Sequence, residues 1–133
     1  MFESIKYKTT LKNAFSDCFE PLKSVLGNVP IPMQTDRYIT GAILGTCRGY
    51  AEAHHTSAKV YASLVDTVFE EIYRQNSIAV QTQTETWLTD ADETFMASYY
   101  HAKEKAAQKL DLTWLQDYAK AHFDVAFEVH HST

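Results

Sequence analysis

The chain has 133 residues, 45% of them apolar and 13% aromatic, which predicts one folded domain over 1–133 and excludes a disordered chain. Its 17 acidic and 12 basic residues leave a net charge of −5, and Lys and Arg form no cluster, so nucleic acid is excluded as a partner. No run approaches the roughly 18 apolar residues of a membrane span, which excludes an integral membrane role.

The first residues carry no apolar stretch of the signal-sequence kind, and Cys18 and Cys47 fall on separate segments. Two reduced thiols in a cytoplasmic protein are therefore expected. From the N-terminus, Phe2, Ile5, Leu11, Phe15, Cys18, Phe19, Leu22, Val25 and Leu26 recur mostly at helical spacing and predict a first helix over 3–26, weakest at Pro21. Gly27 and Asn28 punctuate its end, and Val29-Pro30-Ile31-Pro32 reads as an extended linker.

Thr35 or Asp36 caps a second helix that carries the most informative pattern of the chain. Gly41, Gly45 and Gly49 stand four residues apart, with Ala53 continuing the row and Tyr50 beside it. Each glycine in a helix interior costs about 1 kcal/mol relative to alanine, so the three cost roughly 3. A bare ridge of that kind implies that something approaches the backbone closely. The ridge and the eight tyrosines together predict close helix packing with self-association, the partner being a second copy or another protein.

A break near His55 and a cap at Thr56 or Ser57 open a third helix to about 76, striped by Val60, Leu64, Val68 and Ile72. Residues 77–88 (SIAVQTQTETWL) alternate like a strand without a partner strand and read as a loop or the irregular start of a helix. Thr89-x-x-Asp92 reads as the capping box of a fourth helix, which Leu110-Asp111 ends. Thr113 with Gln116 opens the last one. The expected fold is an all-α antiparallel bundle of about five helices.

One pattern carries chemistry. Glu52-Ala53-His54-His55 and Glu128-Val129-His130-His131 each contain Glu-x-x-His, which on a helix points carboxylate and imidazole to one side and suits iron, manganese or zinc. The spacing resembles the ligand motifs of ferritin-like carboxylate bundles. That resemblance implies a di-metal site at Glu52, His55, Glu128 and His131, with a lone Glu such as Glu20, Glu70, Glu71 or Glu104 completing it and oxidoreductase chemistry following. Against it, Glu128 shares its side of the last helix with Asp117, Asp124 and His131, a polar face, whereas a di-metal site must point inward.

Other polar candidates are His101 with Glu104 at i+3, and His122 on the apolar side of the last helix, where it reads as a core or interface residue. Cys47 beside Arg48 reads as a buried, inert thiol. No phosphate loop, nucleophile elbow or CxxC pair is present. The leading expectation is a non-enzymatic, homodimeric interaction or regulatory module without a cofactor. A metal-binding bundle and a small-ligand pocket floored by the glycines are the alternatives.

Overall fold

The computed structural model describes residues 2–123 and, of these, the side chains of 4–123. Among the described residues the fold is an all-α bundle without strands. Six α-helices follow in order: α1 (Phe2–Phe19), α2 (Arg37–Ala53), α3 (Ala58–Tyr73), α4 (Ser77–Thr89), α5 (Glu93–Gln108) and α6 (Thr113–Phe123).

The sixth helix is α4, the segment that the sequence left as a loop or irregular start. Its buried residues Ser77, Val80, Thr84 and Trp87 fall at helical intervals. The threonines that suggested a strand are absorbed by the helix itself. The hydroxyls of Thr82, Thr84 and Thr86 donate to the carbonyls of Ile78, Val80 and Thr82 at 2.9, 2.8 and 3.2 Å. With no second strand to pair with, the backbone satisfies its hydrogen bonds internally.

Boundaries follow local chemistry. α1 stops at Phe19 rather than Leu26, because Pro21 falls in a 3-10 turn at Glu20–Leu22 and cannot continue the ladder. Asp36 Oδ1 caps α2 by accepting from the Ile39 amide at 2.7 Å, and Ser57 Oγ caps α3 from Val60 at 3.2 Å. His55, at φ 55°, makes the break between them. The cap of α5 is Asp92, whose Oδ1 accepts from Phe95 at 3.0 Å; Thr89 is instead the last residue of α4. At α6, Asp111 Oδ1 accepts from the amide and the hydroxyl of Thr113, while Gln116 reaches across to the carbonyls of Asp17 and Cys18 on α1.

One core draws on all six helices, with Leu11, Phe15, Ile39, Ile43, Leu64, Val68, Phe69 and Leu115 fully buried. A smaller cluster joins Leu44, Trp87 and Phe95. Short connections predicted antiparallel neighbours throughout. The most intimate pair, α2 and α5, runs parallel: positions 41, 45 and 49 meet 95, 99 and 103 in the same order. α3 returns the chain to the start of α2, where Tyr73 meets Met33, and α4 ends beside the same point, with Trp87 under Arg37, so α5 sets off alongside α2 in the same direction.

Candidate functional site

The glycine ridge faces α5 of the same chain. A Cβ at Gly41 would lie 2.5 Å from the Phe95 carbonyl oxygen, and at Gly45 and Gly49 it would fall on the carbonyls of Tyr99 and Lys103. The glycine hydrogens point at these oxygens instead, a geometry suited to weak Cα–H···O contacts. α5 answers with small residues of its own, the buried Ser98, Ala102 and Ala106. Ser98 Oγ donates to the Tyr38 carbonyl at 2.5 Å and pins the top of the seam.

The ridge is thus an internal packing surface. A second copy has no access to it while α5 is in place, and among the described residues the gap lined by Thr46, Ala102, Ala106 and Trp114 is too small to hold a water molecule. Ala53 is exposed beyond the end of the seam. Tyr50 turns to the other side of α2, where its ring meets Tyr7 edge-on at 5.9 Å and His54 at 4.3 Å.

Of the metal candidates, Glu128 and His131 lie outside the described residues. Glu52 is engaged by cations: Oε2 accepts from Arg48 Nε at 3.1 Å, and Oε1 lies 3.7 Å from Lys103 Nζ. His55 sits in the turn after α2, exposed. Glu20 and Glu71 both lie by Lys23 Nζ, at 3.6 and 4.0 Å. Among the described residues no three His, Cys, Asp or Glu side chains converge as a metal site. A ligand set pointing inward is therefore not assembled from Glu52 and His55.

The remaining polar candidates separate. His101 turns its ring edge-on to Trp114 at 5.0 Å, and both His101 and Glu104 are exposed. His122 is exposed rather than part of the core, stacked on Tyr118 at 4.0 Å with Nδ1 2.8 Å from the Tyr118 carbonyl. Both thiols are buried, and desolvation pushes each up to about 12. Arg48 gives Cys47 no activation, since its guanidinium lies over the Tyr61 ring and against Glu52.

The largest concavity lies elsewhere. The linker between α1 and α2 wraps past the end of α3 and leaves a groove of about 660 Å³. Leu22, Val29, Ile72 and Tyr73 form its buried base. The Tyr73 hydroxyl donates to the Met33 carbonyl at 3.1 Å and ties the linker to α3. Gly27, at φ +84°, takes a conformation that suits glycine, and the Arg74 guanidinium packs against it.

At the rim, Val25 is wholly exposed, and the neighbouring Leu26 and Ile31 are 81% and 77% exposed. Among the described residues Lys23 is the one charged residue lining the groove, held by Ser16, Glu20 and Glu71 with its side chain only 12% exposed. At helical spacing Leu22, Val25 and Leu26 read as the last turns of the first helix, which hides them as a surface; the 3-10 turn at Glu20–Leu22 ends the helix before them instead. The usable signal was apolar side chains flanking Gly27-Asn28 and the prolines, where a connecting segment is ordinarily polar.

Compared with family models, curated proteins and solved structures, the chain matches none.

Proposed function

We propose that the chain is a non-enzymatic helical interaction module that pairs with a second copy of itself through the linker groove. The observation that carries this reading is that two strongly exposed apolar side chains, Val25 and Ile31, line the groove, with Leu26 exposed next to Val25 in sequence. Exposed apolar patches of this kind mark contact surfaces. The charge distribution favours a like partner there. A chain of net charge −5 repels a copy of itself over most approaches, whereas here the Lys23 ammonium lies by Glu20 and Glu71 and the Arg74 guanidinium stands beside Gly27, so this face adds little net negative charge. A two-fold rotation brings the same patch together from both chains, and an apolar patch carries no charge to repel its own copy.

Sedimentation velocity over a concentration series tests the reading. The native chain is expected to dimerise, and the Val25→Glu/Ile31→Glu double variant to remain monomeric with an unchanged melting temperature. A native chain that stays monomeric throughout, or a double variant that dimerises as well as the native chain, overturns it.

A further inference from the structure

A second concavity lies between α3 and α4. Its walls are Tyr61, Ala62, Val65 and Phe69 of α3 and Gln81, Thr84 and Leu88 of α4, with Leu44 of α2 as floor, and its volume is about 250 Å³. It stays open because Ala62 and Thr84 are short where the two helices of the hairpin face each other. Thr84 adds no free polar atom, since its hydroxyl is held by the Val80 carbonyl at 2.8 Å. Phe69 and Leu44 are buried beneath the opening, and Leu88 is 39% exposed at its edge. An apolar body placed there removes these side chains from water.

The rim has one sign of charge. Asp66 of α3 and Glu85 of α4 stand on opposite sides of the opening. Neither forms an ion pair with a lysine or arginine among the described residues, although Glu20, Glu52, Glu71 and Asp92 all do. Arg48 stacks on the wall residue Tyr61 at 5.0 Å from the ring centroid and pairs with Glu52. An anion is repelled at this rim. A neutral body leaves the two carboxylates facing each other without a counter-charge.

We infer that the α3–α4 groove binds a small organic ammonium whose apolar body fills the pocket while its charged end lies between Asp66 and Glu85. The volume is below the roughly 300–1,000 Å³ of drug-sized ligand sites, so the body is small, on the order of one phenyl ring or a six-carbon chain. Because both carboxylates are exposed, the ion pairs supply discrimination and the apolar contact supplies most of the affinity.

The test is an amide-shift NMR titration of the full chain with 2-phenylethylammonium, alongside 2-phenylethanol and 3-phenylpropionate as neutral and anionic counterparts. Saturable shifts are expected at 61–69 and 81–88 for the ammonium, with the alcohol weaker by about fivefold and the carboxylate weaker still. Asp66→Asn/Glu85→Gln is expected to bring the ammonium down to the affinity of the alcohol without changing the melting temperature. Ala62→Trp, which fills the opening from an exposed position, is expected to abolish binding of all three. Absence of saturation, equal binding of ammonium and carboxylate, or unchanged binding in either variant overturns the inference.

Discussion

Tyr99 places its backbone carbonyl where Gly45 would carry a Cβ. Both atoms belong to helix backbone, which cannot step aside as a flexible side chain can. Gly45→Ala would gain about 1 kcal/mol of helix propensity in an exposed helix. Here the methyl group forces α2 and α5 apart along their whole seam. The expected net effect is a loss of about 2–4 kcal/mol, read by chemical denaturation. Gly41→Ala, with 2.5 Å to its nearest oxygen, is expected to lose less than Gly45→Ala.

Thr46, on the same helix, is buried, and among the described residues its hydroxyl has no hydrogen-bond partner. An unsatisfied buried hydroxyl costs free energy that a methyl of the same shape does not. Thr46→Val is therefore expected to stabilise the protein by about 1 kcal/mol, seen as a higher denaturation midpoint with an unchanged slope.

The buried thiols predict alkaline sensitivity. Cys18 and Cys47 are pushed up to about 12 by burial, whereas an unfolded thiol ionises near pH ~8.5. Between those values the native state holds protons that the unfolded state has released, so stability falls as pH rises. Below about pH 8 the thiols contribute no slope. The melting temperature is expected to drop steadily from pH 8.5 to 10.5, and less steeply in Cys18→Ala/Cys47→Ala. Native protein is expected to react slowly with iodoacetamide at pH 8 and rapidly once unfolded.

Tyr73 fastens the linker groove to the bundle through its hydrogen bond to Met33. Tyr73→Phe removes the donor and leaves that carbonyl without its partner in a buried setting. A loss of about 1–2 kcal/mol is expected, with faster hydrogen exchange in the linker than in α2.

The helices with a strong apolar stripe or a clear cap were legible in the sequence. Asp36, Ser57 and the break at His55 all sit where local chemistry puts them. The glycine ridge was legible as a close contact, but its partner was not taken from the sequence. Yet Ser98, Ala102 and Ala106 repeat with the same four-residue period, and two matched small-residue rows are what a close helix pair requires. The helix α4 was hidden because its threonines mimic strand alternation, and only burial at Ser77, Val80, Thr84 and Trp87 separates the two readings. Both grooves depend on tertiary placement. Asp66 and Glu85 belong to different helices, and Val25 with Ile31 meets Ile72 only after the chain has turned back on itself.

The parallel seam also fixes an order of events during synthesis. α2 is complete long before α5 has been made, with the whole α3–α4 hairpin still to come. Until then its bare backbone row has no cover, and glycine's freedom leaves that segment poorly held as a helix. The final close contact joins distant parts of the chain and must wait for the loop between them to close. A chain released before α5 emerges leaves its glycines to whatever small-residue helix is nearby, including the α5 of a neighbour, which makes capture of that helix from another copy the characteristic failure of a truncated or crowded product.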